Sequence, residues 1–287
     1  MITGAWDIAG LRGRIWCARR PRAALLLQHG YAEYGDRYVE RHNRLIPRLV
    51  ERGFDVYAFD APGHGRSPGA RGLADIGAIV EAHRAARRSL AGRPLFLFGH
   101  SLGGLVTAAS IARDPAGVGG VVLSAPALLI RTNPLLRATA PLIARAAPTL
   151  GVQAPLDPSG ISRDAEEVRL YATDPLLYRG PIPALLGASA LAVSVRAWRL
   201  YPDWRTPVLV LHGTADRFTD PAGSRRFVDA VAAPDKRLMT VEGGRHELLN
   251  DLDRDAVLAA ILDWLDERAP APSEPLRASV AEPISAA

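Results

Sequence analysis

The sequence predicts an α/β architecture: a mostly parallel, eight-stranded sheet with helices on both faces and a helical insertion. Three observations carry this expectation. From residue 1 to 126, short apolar runs bounded by Gly and Pro alternate with helical stretches. Runs apolar on both faces suit parallel strands whose sheet is covered by helices on each side. Over 127–205 the alternation stops, and from 207 it resumes. Finally, the run at 94–98 passes through Gly99-His100-Ser101-Leu102-Gly103 straight into a helix.

In chain order, residues 6–8 and 12–17, joined by Ala9-Gly10, read as an opening hairpin. Strands are expected at 23–28, 54–59, 94–98 and 120–123, with helices at 37–52, 75–90 and 102–113 between them. The last helix stops at Asp114-Pro115, a sequence that cannot continue it. Residues 127–205 hold no clear strand, nine prolines and several short apolar helical patches, which predicts a helical cap over the core formed by 1–126 and 206–268. Within it, residues 133–148 present an apolar face at Leu135, Leu136, Leu142 and Ile143, and Pro134 and Pro141 suggest a broken helix. The rhythm resumes with a strand at 207–212, a helix at 221–231, a strand at 237–241 and a helix at 252–268. The Pro/Ala/Ser-rich tail from 269 is expected to be disordered.

Composition narrows the class. With 287 residues and 48% apolar content the chain can bury one large core. No apolar window reaches the ~20 residues that span a bilayer, and the start lacks a basic segment followed by an apolar one. Cys17 is alone, which excludes a disulfide framework and a thiolate metal cage and fits a reducing, cytoplasmic compartment. The net charge is +5, nearly all of it arginine (Lys236 is the only lysine), and along the sequence it is scattered without a basic stripe interleaved with aromatics. That pattern argues against a nucleic-acid partner.

The chemistry centres on Ser101. A serine on a tight strand–helix turn needs small neighbours two residues to either side, which Gly99 and Gly103 provide, and the following helix start offers backbone N–H groups where negative charge develops. A hydroxyl near neutral pH also needs a base. Of seven histidines only His246, in Glu242-Gly-Gly-Arg-His-Glu, lies beyond the resumed strands. His29 and His212 end strands, His42 and His83 fall on expected helix surfaces, His64 sits in a turn and His100 faces away from the nucleophile. Asp216, just past the strand at 207–212, is the favoured acid; Asp220 precedes Pro221 and reads as a helix cap. The oxyanion donors are expected to be the amides of Leu102 and Tyr31. No metal or organic cofactor is called for.

Taken together, Gln28-His-Gly-Tyr-Ala-Glu-Tyr-Gly-Asp-Arg-Tyr, Phe59-Asp-Ala-Pro-Gly-His-Gly-Arg-Ser, Gly99-His-Ser-Leu-Gly-Gly, Leu123-Ser-Ala-Pro, Ile161-Ser-Arg-Asp and Leu211-His-Gly-Thr-Ala-Asp-Arg resemble the monoacylglycerol lipase/lysophospholipase branch of the α/β-hydrolases. The resemblance covers residues 25 to about 265. It implies a serine hydrolase with a helical cap that cleaves one acyl chain from glycerol, with Ser101, Asp216 and His246 on the triad positions and Tyr31 and Leu102 on the oxyanion positions. It also places Glu33 and Arg37 near the alcohol end of the pocket, although the two could equally be a plain salt bridge. Leu135 and Leu142 are expected at the rim of an acyl tunnel that touches lipid transiently, or else packed onto the core. The sequence departs from the family at Tyr31, Ala32, Tyr34 and Leu249, which bears on substrate more than on reaction. A carboxylesterase, lysophospholipase or thioesterase acting on another single-chain substrate remains the alternative. A serine at 101 excludes the dehalogenases and epoxide hydrolases of this fold, which need an Asp there.

Overall fold

The computed structural model describes residues 2–271. Of the tail expected to be disordered from residue 269, residues 272–287 lie outside the described residues. Ten strands and the helices between them follow the expected rhythm. They are β1 (Ile2–Ala5), β2 (Gly13–Cys17), β3 (Ala23–Gln28), α1 (Arg37–Glu40), α2 (Leu45–Glu51), β4 (Phe54–Phe59), α3 (Ile76–Ser89), β5 (Leu95–His100), α4 (Ser101–Arg113) and β6 (Val118–Ser124). The insertion carries α5 (Pro134–Ala146), β7 (Gly151–Gln153), α6 (Ala165–Thr173), β8 (Ile182–Pro183) and α7 (Ala184–Ala197). The core is completed by β9 (Val208–Gly213), α8 (Pro221–Ala230), β10 (Lys236–Val241) and α9 (Arg254–Asp266).

Eight strands form one sheet in the order β1-β2-β4-β3-β5-β6-β9-β10. Only the pairs β1–β2 and β2–β4 are antiparallel. Every residue of β3, β4, β5 and β9 is buried, as a two-sided helical covering demands. On one face Ile79, Val80, Leu105, Val106 and Phe227 of α3, α4 and α8 pack onto the sheet. On the other face the sheet meets Leu45, Ile46 and Leu49 of α2 and Val257, Ile261 and Leu265 of α9. This is the α/β-hydrolase fold, with β5 at the sheet centre delivering Ser101 at its carboxyl end.

Several expectations need correcting. The first strand is Ile2–Ala5 rather than 6–8, and the turn is closed by an Ile8–Leu11 bridge. The helix expected over 37–52 is interrupted: His42, Asn43 and Arg44 all take left-handed backbone angles, with φ of 53°, 51° and 54°. Tertiary contacts outweigh local propensity there, because the His42 amide donates to Asn250 Oδ1 and the ring is buried. The prolines do not break α5. Pro134 takes its first turn after Asn133, whose side chain caps the Leu136 amide at 2.7 Å, and Pro141 is accommodated inside a continuous helix. The insertion is not strand-free, since β7 and β8 pair as a small antiparallel ribbon. Nor is it wholly separate from the core: Leu186, Ala190, Val193 and Ala197 of α7 pack with α3 and α4.

Around Ser101 the packing leaves no room. A Cβ on Gly103 would lie 2.3 Å from both the Gln28 and His29 carbonyl oxygens, and one on Gly99 would meet Thr107 Oγ1 at 2.6 Å. Backbone atoms cannot swing aside as a side chain could. Gly103→Ala is therefore expected to lower stability in urea unfolding by about 1–3 kcal/mol, despite the better helix propensity of alanine.

Candidate active site

Ser101 sits at φ 54°, a left-handed value that costs a residue with a Cβ of order 1–3 kcal/mol and persists only where the surroundings enforce it. Here β5 on one side and α4 on the other enforce it. No side chain caps α4, so its first amides, Leu102 included, remain available at the serine. Across the turn, the loop after β3 comes close enough that a Cβ on Gly30 would stand 3.0 Å from the Ser101 Cβ. Neither the Tyr31 nor the Leu102 amide donates to another group among the described residues.

The structure brings the three distant side chains together. His246 Nε2 lies 2.8 Å from Ser101 Oγ, and His246 Nδ1 lies 2.8 Å from Asp216 Oδ2. An ionised carboxylate can only accept, so Nδ1 carries the proton and Nε2 is left to accept from the serine hydroxyl. Asp216 is itself held from several sides. Its Oδ1 accepts from the Phe218 and Thr219 amides at 2.8 and 3.1 Å, and its Oδ2 accepts from Thr219 Oγ1 at 2.7 Å. His212 Nε2 approaches Oδ2 to 3.2 Å. Burial alone would raise the Asp216 carboxyl, but His246 and the hydrogen bonds from His212 and His246 outweigh it and hold it far below the usual carboxylate range. Burial likewise disfavours the His246 imidazolium, yet the Asp216 charge, with Glu247 and Glu33 farther off, raises its pKa above the ordinary histidine value.

Glu33 and Arg37 belong to a different assembly. Both are buried, and Arg37 forms a two-pronged pair with Glu247, Nη1–Oε1 at 2.7 Å and Nη2–Oε2 at 2.9 Å. Its Nη1 also meets Glu33 Oε2 at 3.0 Å and His42 Nε2 at 2.9 Å. Glu33 Oε1 accepts from the Gly30 amide and the Tyr38 hydroxyl, both at 2.7 Å. The salt-bridge alternative therefore describes the pair, whose carboxylate oxygens and terminal guanidinium nitrogens are bonded inside the protein. The assembly ties the loop carrying Tyr31 to the residue next to His246. Burial opposes ionisation of Glu247, but Arg37 and His42 bring it down to about 2. Ligand atoms of Glu33, His42 and Glu247 fall within 4.8 Å of one another, a spacing a metal could use, but the Arg37 guanidinium already bonds to all three.

Other expectations fare differently. His42 and His83 are not on helix surfaces but fully buried. His100 does not turn away: its ring centroid lies 4.9 Å from that of His246, its Nδ1 pairs with the Ser124 carbonyl, and burial pushes it down to about 3. Asp220 caps α8 through the Ala222 amide. Tyr31 packs edge-on against His64 and Tyr178 with its hydroxyl unpartnered, and with Leu102, Val106, Ile79 and Leu186 it lines a narrow, mostly apolar crevice beside the serine. Leu135 and Leu142 are 73% and 69% exposed, which rules out packing onto the core. Glu247, Thr219 and His212 were missed as supports of the site. The adjacency Arg245-His246-Glu247 was the one local hint for Glu247, and nothing local marked its partner Arg37.

The chain is also similar to known proteins. The family model described as "Serine aminopeptidase, S33" matches residues 19–253. The chain is 35% identical over 252 residues to a monoacylglycerol lipase of Mycolicibacterium smegmatis, covering 85% of this chain and 88% of that protein. It is 30% identical over 262 residues to the monoglyceride lipase of Homo sapiens, covering 86% and 84%. The crystal structure of a Paleococcus ferrophilus monoacylglycerol lipase superposes with a TM-score of 0.80 at 36% identity, over 88% of this chain and 98% of that one.

Arg37→Met would leave two buried carboxylates facing each other without their cation, and a loss of about 3–5 kcal/mol in urea unfolding is expected. The pH dependence should also change sign. In the variant the two carboxyls repel and their folded-state pKa rises above the unfolded value, so stability increases as pH falls from 7 toward 5. In the parent both carboxyls are held low, so the stability they contribute is complete above about pH 5 and is lost only on further acidification.

Proposed function

Because the chain belongs to the serine aminopeptidase S33 family of α/β-hydrolases and is a carboxylic ester hydrolase like its lipase relatives, we propose that it cleaves monoacylglycerols to glycerol and fatty acid. The observation that carries the mechanism is the continuous pair of 2.8 Å contacts from Asp216 through His246 to Ser101. Ser101 Oγ attacks the ester carbonyl as His246 Nε2 takes its proton. The oxyanion is received by the Leu102 and Tyr31 amides, each such donor being worth about 3 kcal/mol to the transition state. His246 then protonates the glycerol oxygen, the alcohol leaves, and water, deprotonated by the same imidazole, releases the fatty acid. Asp216 keeps Nδ1 protonated and stabilises the imidazolium without taking the proton.

Residues 127–205 act as the cap, with exposed Leu135 and Leu142 forming an apolar edge where substrate arrives from lipid. The burial of Glu33 and Arg37 favours a second reading: with those two unable to reach the alcohol, the enzyme acts on single-chain esters with less regard for the leaving group.

Hydrolysis rates over mono-, di- and triacylglycerols and single-chain esters of other alcohols separate these readings; faster turnover of di- or triacyl substrates would rule out the monoacyl assignment. Ser101→Ala should abolish turnover, and Asp216→Asn should lower kcat by about 10⁴, the cost seen when the analogous change puts the wrong histidine tautomer in a serine-protease triad. The general base works only when neutral. Since Asp216 raises the pKa of His246, kcat/KM should rise with pH through a midpoint above ~6.5, and the residual activity of Asp216→Asn should show that midpoint moved down.

A further inference from the structure

Asp216 is shared by two histidines. His246 Nδ1 reaches its Oδ2 at 2.8 Å, and His212, at the end of β9, brings Nε2 to the same oxygen at 3.2 Å. His212 and the Asp216 side chain are both buried, so water screens their interaction little. On its far side His212 Nδ1 lies 2.6 Å from Ser224 Oγ of α8, which is buried as well. A line of contacts thus runs from α8 through His212 and Asp216 to His246 and Ser101.

The protons on this line follow from the donors available. A neutral imidazole donates from one nitrogen and accepts at the other. The single Thr219 hydroxyl proton belongs to its shortest contact, Asp216 Oδ2 at 2.7 Å, ahead of the Ala125 carbonyl at 3.0 Å and His212 Nε2 at 3.1 Å. A bare Nε2 would then turn its lone pair toward the carboxylate and leave two buried acceptors against each other. A proton on Nε2 removes that conflict. Nδ1 then accepts from the Ser224 hydroxyl, which makes no other side-chain hydrogen bond among the described residues.

We propose that His212 is a positioning residue for the hydrolysis: it donates Nε2–H to Asp216 and, by drawing on the carboxylate's charge, leaves more of His246 neutral near pH ~7. This rests on the triad reading of the preceding subsection. Asp216 Oδ1 takes the Phe218 and Thr219 amides, while Oδ2 is divided among His246, Thr219 and His212. Each donor stabilises the charged carboxylate, and the charge that one donor takes up is withheld from the others. Without His212, more of the pull of Oδ2 would fall on His246 and hold it as imidazolium, which cannot accept the Ser101 proton. The other titratable groups around His246 are Glu247 beside it, Glu33 from the loop after β3 and His100 at the end of β5. Those acting on Asp216 are His246 and His212.

Two measurements test this. The first is the pH profile of kcat/KM. In His212→Leu, which removes the donor and keeps an apolar side chain in its place, the midpoint of the rise should move up by at least about half a pH unit, an about threefold loss on the acid side of the profile. His212→Gln, whose amide can donate from near the position of Nε2, should bring the midpoint back toward that of the parent. A midpoint that stays put or moves down in His212→Leu, or moves up equally in His212→Gln, would mean that the residue only fills space, and the proposal would fall. The second is proton–nitrogen NMR of the imidazoles in the full chain, with His212 identified by its loss in His212→Gln. Expected is a proton on Nε2 and none on Nδ1; the reverse would overturn the proposal. The spectrum decides the hydrogen bond if His212→Leu folds poorly, and it needs no turnover. A parent protein without esterase activity would therefore count against the proposed reaction, while the protonated nitrogen of His212 would still be read directly.

Discussion

The left-handed backbone of Ser101 is the constraint around which the rest is arranged. A residue with a Cβ does not hold φ 54° unaided, and here it is clamped between the end of β5 and the first turn of α4. The clamp works because Gly99 lets the start of α4 lie against the end of β5, where a side chain would meet Thr107 and Gly103, and because Gly103 lets the end of β3 come within contact distance, where a side chain would collide with the Gln28 and His29 carbonyls. One turn thus sets three things together: the hydroxyl projects from the sheet edge, the uncapped start of α4 lies beneath it, and the loop carrying Tyr31 lies beside it.

The buried charge assembly around Arg37 gives that loop its second anchor. Glu33 holds the Gly30 amide, Arg37 holds Glu33, and Glu247 draws Arg37 toward the segment bearing His246. The oxyanion side and the imidazole side of the site are therefore tied through a single guanidinium, in a region where losing one charge strands the others. Glu33 and Arg37, read from the sequence as either an alcohol-end pair or a plain salt bridge, are buried behind the site within this assembly. A similar logic surrounds Asp216, where two amides, Thr219 and His212 fix a carboxylate whose task is to orient a ring.

Much of this was legible in the sequence, for physical reasons. Strands β3 and β4 are uninterrupted apolar runs, and their bounds coincide with the expectation because nothing but a two-sided core accommodates such runs. Ser101 was legible through its glycines, and His246 and Asp216 through their places after the last strands. What stayed hidden depends on long-range partners. The segment 42–44 reads as helix by periodicity, but its left-handed backbone accompanies contacts of His42 with Asn250 and of Asn43 with Asp255, both more than two hundred residues away. His42 and His83 looked like surface residues because the elements that cover them are remote in the chain.

The account confines the chemistry to the sheet edge and places all bond-making at one hydroxyl. The most direct measurement is the intact mass and peptide map of the protein after exposure to a fluorophosphonate, which reacts with a serine only when a base activates it. The expected result is one stoichiometric adduct on the peptide containing Ser101, absent from the Ser101→Ala protein and greatly slowed when His246 is replaced. An unlabelled protein, or an adduct on any other residue, would contradict the central claim.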